Sequence, residues 1–599
     1  MSEFKRRNRA LTVGAGVAVS ALALAGCTTG GTDAESPEGG EGGTITIAQT
    51  NAFTSFNGDT PDANLDVNGM VGYLTGVSGG LGLGGFLRLD ENYGVLHNED
   101  FGTIEVLSED PLQVKYTLNE GLTWSDGEPI TADDMLVNWV ISSGWFDDAI
   151  IDPATGDATN GGNTYFTLAG STAGLDTTAF PEISEDKLSM TIEYSTPYVD
   201  YELVNPIGKP AHVLAEKAGV SLEELIEVIE TTPEGNTDAP APVNETLRAV
   251  ADFWNTGYDV TAMPTDESLL VASGPFIVTD FVPDSSITLE KNAEYKGDLV
   301  PAYDQLIIRF IGDANAQVTA LQNGEVQAIQ PQASADTLTA LESAGATVHA
   351  GDQLAYDHLD LSHAGVFADP AVREAFLKTI PRQQILESII TPVNPEADVL
   401  NSQIFLPTDG DAYTSAVAAS GYDAYTEPDI EGAKALLAGA TPTVRILYNT
   451  NNPNRVDSFR AIQQSASEAG FVIEDAGSPD WSSLLGSGNY DASIFGWVSP
   501  GAGNASLPQI FKTAGGGNYN FYSNAEVDAL VDESQVTVDA ERLEEIKIEI
   551  DALTAADFYG LPLFQSPGLF ADDGSITGVE HFGGQTGLVW NAHEWTLAG

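Results

Sequence analysis

The chain has 599 residues, 88 acidic against 23 basic side chains, a formal charge of −65 and a single cysteine. Like charges repel phosphates and anionic headgroups, so a surface this acidic argues against nucleic acid as a partner and against direct adsorption to anionic lipid. One cysteine forms no internal disulfide and rules out zinc sites built on two or four thiolates, while 42% hydrophobic residues are enough for sizeable buried cores.

Lys5, Arg6, Arg7 and Arg9 precede an apolar, small-residue stretch over residues 10–24. About fifteen residues fall short of the ~20 that a permanent membrane helix needs, so residues 1–26 read as a cleaved export signal. Leu24-Ala25-Gly26-Cys27 resembles the lipobox of bacterial lipoproteins, which implies cleavage before Cys27 and lipidation of that residue. Residues 28–43, TTGGTDAESPEGGEGG, contain no large apolar side chain; after Cys27 they are expected to form a flexible tether with roughly 22 Å of reach.

From Thr44 the pattern changes to Thr-Ile-Thr-Ile, the alternation of a half-buried strand. Strands and helices then interleave, which predicts an α/β architecture. Residues 444–448, 471–473 and 490–497 read as strands and 460–469 as a helix between them, a βαβ-type succession. Asn524 is expected to cap a helix carrying Val527, Leu530 and Val531, and Leu543, Ile546, Ile550 and Leu553 mark a buried helix face; both faces read as core. Residues 76–85, more than half glycine, and the Pro- and acid-rich residues 231–267 read as surface loops or insertions.

The segment VKYTLNEGLTWSDGEPITADDM, residues 114–135, carries the most specific pattern. It reads as an alternating strand, a turn at Gly121, a short strand through Trp124, an Asp126-Gly127 turn and a helix capped by Thr131 with acids in its first turn. Leu118, Gly121, Trp124, Asp126, Gly127, Pro129, Thr131, Ala132 and Asp134 closely resemble the signature of the family 5 extracellular solute-binding proteins, the peptide, oligopeptide and nickel receptors of bacterial ABC importers. Similar blocks follow in order at residues 273–276, 289–295, 320–326, 369–376 with Arg382, 490–497, 522–530 and 561–564, so that the resemblance runs from about 44 to 599. Pro381 stands where the family pattern has an Asp before Arg382, and Arg373 is expected to pair within its own lobe.

The resemblance implies a periplasmic-binding-protein-like clamshell that binds and does not catalyse, works without a cofactor, and delivers its solute to the permease and ATPase of an ABC transporter as a monomer. Transferred by segment order, lobe I comprises 44–75, 206–350 and 558–599, an extra N-terminal subdomain 76–205, and lobe II 351–557. Hinges are expected near residues 355–357 and 557–561. Gly496, Trp497 and Val498 correspond to the stretch that lines the ligand in peptide-binding members, and Tyr356, Phe564 and Phe276 are further candidates. Peptide-binding members usually carry an acid just after the Trp to pair with the ligand's amino terminus; here Val498-Ser499-Pro500 follows Trp497. Asp480 or Asp491 could replace it.

Two other chemistries compete. Gly76-Val77-Ser78-Gly79-Gly80 matches the G-x-S-x-G elbow of serine hydrolases, which would make Ser78 a nucleophile on a surface lipoprotein. His358, Asp360 and His363 could serve a nickel or metal-chelate receptor of the same fold, although no established metal motif is present.

Overall fold

The computed structural model describes residues 42–598 except 79, 152–157, 171, 173, 500 and 501. The export signal, Cys27 and the tether up to residue 41 lie outside the described residues.

Alternation in Thr44–Gln49 places Ile45 and Ile47 fully inside. The strand runs parallel to Gln305–Phe310 on one side and to Ala328–Ile329 on the other. Among the described residues it belongs to a ten-stranded mixed sheet. The spatial order is Val472–Asp475, Thr443–Tyr448, Ala492–Val498, Thr347–Leu361, Gly560–Asp572, Ala328–Ile329, Thr44–Gln49, Gln305–Phe310, Ser286–Lys291 and Phe276–Val282. A βαβ unit is present as expected: Thr443–Tyr448 and Val472–Asp475 are parallel and joined by the helix Pro453–Ala469. That helix starts earlier than the expected Arg460, because the Asn452 side chain accepts from the Asn454 and Arg455 N–H groups and Pro453 takes the first helical position.

Thr347–Leu361 and Gly560–Asp572 run antiparallel along each other, with a register change between Asp352 and Tyr356. Beyond that change, Ala355 to Leu361 also pairs with Ala492–Val498, whereas the far end of Gly560–Asp572 pairs with Ala328–Ile329. The two strands therefore serve different cores along their length. Leu359, Leu361, Leu561, Leu563 and Phe564 pack with Val444, Ile446 and Ile494. Phe570 joins the core built on Ile45, Ile47, Leu306 and Ile308, and Leu569 and Ala571 pack with Val318, Leu321 and Leu341.

The segment after Leu112–Leu118 folds largely as its sequence indicates. The strand alternates buried and half-buried residues, Gly121 and Gly127 take φ of 84° and 90° in their turns, and Thr123 bridges to Pro129 in place of a regular second strand. Thr131 and Asp134 form a capping box at Ala132–Ser143, and Asp134 also accepts from the Ala211 N–H at 2.9 Å. Burial raises the Asp134 carboxyl to about 6.

Two expectations are corrected. Residues 76–85 do not form a surface loop: Leu83 is fully buried, and the Gly84 backbone approaches Gly274 so closely that an added Cβ would lie 2.4 Å from its nitrogen. Residues 231–267 include the helix Glu245–Thr256, capped by Asn244, with Leu247, Val250, Ala251 and Trp254 buried.

Arg373 donates to the Asp557 and Phe367 carbonyls, and Arg382 is fully buried. The Arg382 guanidinium donates to the carbonyls of Leu400, Pro562, Tyr422 and Tyr425 and to Asn401 Oδ1. It thus ties the strand Gly560–Asp572 to the loop that leads into Gln403. These acceptors are neutral, and burial lowers the guanidinium to about 10. Arg382→Met leaves the carbonyls without a donor and is expected to destabilise the fold by about 3 kcal/mol or more, read as a lower denaturant midpoint.

Candidate functional site

A cavity of about 1150 Å³ lies where the two long strands pass from one core to the other. Its walls come from both sides of that crossing. Asp59, Tyr73, Ser78, Tyr93, Lys209, Trp254, Phe582 and Trp590 contribute from the side of the first core, and Tyr356, Gln403, Phe405, Trp497, Val498, Gln509, Leu543 and Lys547 from the side of the second. The backbone of Leu354 is bonded both ways: its N–H donates to the Gly583 carbonyl at 2.8 Å and its carbonyl accepts from the Ser499 N–H at 2.7 Å.

Strand register places the central pair. Tyr356 is opposite Trp497, and its hydroxyl donates to the Gln403 carbonyl at 2.7 Å. The Trp497 ring stacks on Tyr519 at 6.0 Å and meets Phe495 edge-on at 5.3 Å. Facing aromatics come from the chain's end, where Phe582 stacks on Trp590 at 5.0 Å. Flat rings with one polar edge suit a flexible solute with apolar and polar parts. Val498 lines the cavity as well, 42% exposed.

Gly496, Phe564 and Phe276 are not brought to the cavity. Gly496 pairs with Asp357, and a Cβ there would lie 2.5 Å from Asp357 Oδ1 and 3.1 Å from Arg455 Nη2. Its missing side chain makes room for the buried two-point Asp357–Arg455 ion pair, with both contacts at 3.0 Å. Phe564 and Phe276, 2% and 1% exposed, point into the second and first cores; a register change opposite Asp357 and His358 lets Phe564 and its neighbour Leu563 face the same core.

The acids considered as substitutes after Trp497 do not line it either. Asp491 is held by Arg445 through contacts of 2.9 and 3.0 Å, and Asp480 is exposed, just ahead of the short helix Trp481–Leu485. The loop after Trp497 instead reaches across the cleft: the backbone N–H and side-chain amide of Asn504 donate to the buried Asp200 carboxylate at 2.6 and 2.9 Å. Gln509 Nε2 makes a second crossing to the Ala169 carbonyl at 3.1 Å.

Neither competing chemistry assembles here. Ser78 Oγ donates to Asp59 at 3.2 Å and accepts from the Gly80 N–H; among the described residues no histidine lines the cavity, and a helix, Asp66–Thr75, precedes the serine. His358 is 1% exposed and bonded to Asp360 at 2.8 Å beneath the Trp497 ring. His363 packs separately, against Tyr522 and Tyr559, and its burial lowers it to about 4. Among the described residues no group of three or more His, Cys, Asp or Glu is placed to hold a metal.

The walls carry two cations that sequence reasoning missed. Lys209 is buried and donates to the carbonyls of Phe56 and Val77; desolvation lowers it to about 8 against the opposing pull of Asp59. Lys547 comes from Ala540–Ala556, the helix read as pure core. Ile546 and Ile550 are indeed buried, but Ala540, Leu543, Glu544 and Lys547 form an adjacent stripe on the cavity. The signal available in the sequence was that i, i+3, i+4, i+7 spacing.

One turn further on, Asp551 is buried, accepts from the Gln403 N–H at 2.9 Å, and has no partner for Oδ2. Burial raises it from 3.8 to about 7. A folded-state proton held more tightly than in the unfolded chain stabilises most below pH ~4, and that contribution is lost as the pH rises towards 7. In Asp551→Asn this part of the pH dependence is expected to disappear, measured as the wild-type-minus-variant difference in unfolding free energy between pH 4 and 8.

Residues 103–519 match the family described as bacterial extracellular solute-binding proteins, family 5 Middle. An uncharacterized lipoprotein of Mycobacterium tuberculosis is 24% identical over 579 residues, covering 93% of this chain and 97% of that protein. The oligopeptide-binding protein OppA of the same species is 24% identical over 567 residues, covering 92% and 83%. Among solved structures, the periplasmic EDTA-binding protein EppA superposes with a TM-score of 0.75 at 23% identity, covering 94% of this chain and 98% of that one. AppA of Bacillus subtilis, in complex with a nonapeptide, gives 0.69 at 18%, covering 94% and 100%.

Proposed function

Since the chain belongs to the bacterial extracellular solute-binding proteins, family 5, whose members bind solutes and are not enzymes, we propose that it is the extracytoplasmic receptor of an ABC importer. It encloses a peptide or similarly sized polar solute between two lobes and presents it to the permease. The observation that carries this reading is the cavity at the strand crossing, walled on one side by residues of the first core such as Tyr73 and Trp254 and on the other by Leu507, Ile510 and Phe511 of a separate apolar cluster. A solute touching both walls favours the state in which they approach, and that differential affinity is what drives closure. Its volume slightly exceeds the ~300–1,000 Å³ of ordinary small-molecule pockets, as an extended solute requires.

Cys27 is the lipid anchor in this reading, supported by the lipobox and by the relative named as a lipoprotein. Trp497, Tyr356 and Val498 are the ligand-contacting residues of the original set. The lobes are joined by the two long strands, with the first crossing at residues 353–355. The second falls at 565–567, later than 557–561, because Leu561, Leu563 and Phe564 still pack with the second core.

The test is to purify the full chain in nonionic detergent without unfolding it, denature it, and identify released small molecules by mass spectrometry. Peptides of recurrent length support the oligopeptide reading; a different recurrent solute keeps the receptor and replaces its ligand class; absence of any recurrent solute, together with no binding in a solute screen, overturns the proposal. Trp497→Ala is expected to retain the fold and weaken binding of the recovered solute about tenfold or more by calorimetry, through loss of ring contact. Asn504→Ala removes a side-chain contact to Asp200, and its expected effect is a larger radius of gyration in small-angle scattering with weaker binding.

A further inference from the structure

Two glycines face each other across the long strands just before these change partners. Gly351 and Gly568 are paired in register, next to the register change that begins at Asp352. Neither has a positive φ, so backbone conformation does not require glycine at either position. Space does. A Cβ on Gly568 would lie 2.4 Å from His581 Nε2, and one on Gly351 would lie 2.7 Å from His581 Nδ1. The imidazole occupies the notch that the two missing side chains leave, and it stacks at 4.9 Å on Phe570, which follows Gly568 on the same strand face.

Shape accounts for this placement better than hydrogen bonding. His581 Nε2 is buried and has no partner among the described residues. Burial lowers the imidazole below its usual range, opposed by Asp352 and reinforced by His349. The ring therefore fills the notch as a flat, neutral group.

The residues after it serve the cavity. Phe582 lines it, stacked on Trp590 at 5.0 Å and tilted against Tyr93 at 5.0 Å. Gly583 is tied down in turn: its N–H donates to the Tyr93 hydroxyl at 3.2 Å, and its carbonyl accepts from the Leu354 N–H at 2.8 Å. The segment is thus pinned on both sides of Phe582, by a ring in the notch before it and by Leu354 after it. A wall residue fixed in this way presents its ring in one orientation and has little backbone freedom left to lose when a solute packs on it.

We propose that His581 is a positioning residue of the solute site: seated on Gly351 and Gly568, its ring holds Phe582 in the cavity wall. The inference rests on the receptor reading above and gives a role within it to a residue that does not itself line the cavity.

The experiment labels the full chain, in nonionic detergent, with fluorotryptophan and follows the fluorine NMR signal of Trp590, assigned through Trp590→Phe, alongside calorimetric titration with a random pentapeptide mixture. In solute-free protein His581→Ala and Gly568→Ala are each expected to move the Trp590 signal, the first by emptying the notch and the second by putting a methyl in it. Once His581→Ala is present, Gly568→Ala is expected to add nothing. In titration His581→Ala is expected to weaken binding of the mixture about fivefold, and to have no effect when Phe582→Ala is already present. A general loss of stability would lower affinity in both backgrounds, so the comparison separates positioning from it. A Trp590 signal unmoved by His581→Ala, or the same loss of affinity with and without the Phe582 ring, overturns the inference and leaves the receptor reading standing. Absence of binding by the wild type overturns the peptide reading, and the Gly568 and His581 variants in solute-free protein then support or overturn the positioning role through the Trp590 signal alone.

Discussion

Two neighbouring strands, each obliged to serve different cores along its length, set the conditions for everything else in this fold. A strand has two faces and one register, so changing partners part-way requires an irregularity. Here it falls between Asp352 and Tyr356. On one side of it the pair is flanked by Ala328–Ile329, on the other by Ala492–Val498. In between, the pair has neither neighbour to cover it. The cavity opens at that position, and Leu354 is bonded to Gly583 and Ser499 from opposite walls. The cavity and the change of strand partners thus share one structural cause.

Charge inside the fold follows rules different from charge on its surface. The overall −65 speaks of solubility and long-range repulsion, yet Arg382 and Lys209, unlike the Arg455 paired with Asp357, are held by neutral oxygens. Arg382 is surrounded by four carbonyls from three segments and one side-chain amide, and Lys209 by two carbonyls with a carboxylate further off. Neutral acceptors avoid desolvating a second ion, the term that makes buried ion pairs costly. Pro381, where the family pattern has an acid, is compatible with this arrangement, because the Arg382 guanidinium already has its acceptors.

Legibility in the sequence tracked how local each feature is. The Thr131 capping box, the glycine turns at 121 and 127 and the strand Leu112–Leu118 depend on neighbours a few residues away, and they could be read directly. Which strand face meets solvent, core or cleft depends on partners hundreds of residues distant. Tyr356 and Trp497 meet at the cavity only because their strands pair in that register, and a register change turns Phe564 inward beside Leu563. The helix Ala540–Ala556 shows the limit most clearly. Its apolar spacing identifies a buried face correctly, but whether the adjoining stripe with Lys547 meets water or cavity is decided by packing that no local pattern encodes. Residues 76–85 failed for a related reason: glycine was read as freedom, where it provides the close approach to Gly274.

The departure after Trp497 gains a physical meaning from the opposite wall. A receptor that captures an ammonium needs a desolvated carboxylate free to meet it. In this chain the buried carboxylate nearest the loop, Asp200, takes both of its N–H partners from Asn504, so the acid serves contact between the walls instead of contact with a ligand. Asp409 is occupied in its own turn by the Leu406 N–H. The same cavity wall carries Glu544 and Lys547, one helical turn apart. A site can be specific for an amino terminus or for acceptors according to which of its polar groups the protein has already paired. Here Asp200 and Asp409 are taken up by the protein's own N–H groups, while Glu544 stays exposed on the cavity wall.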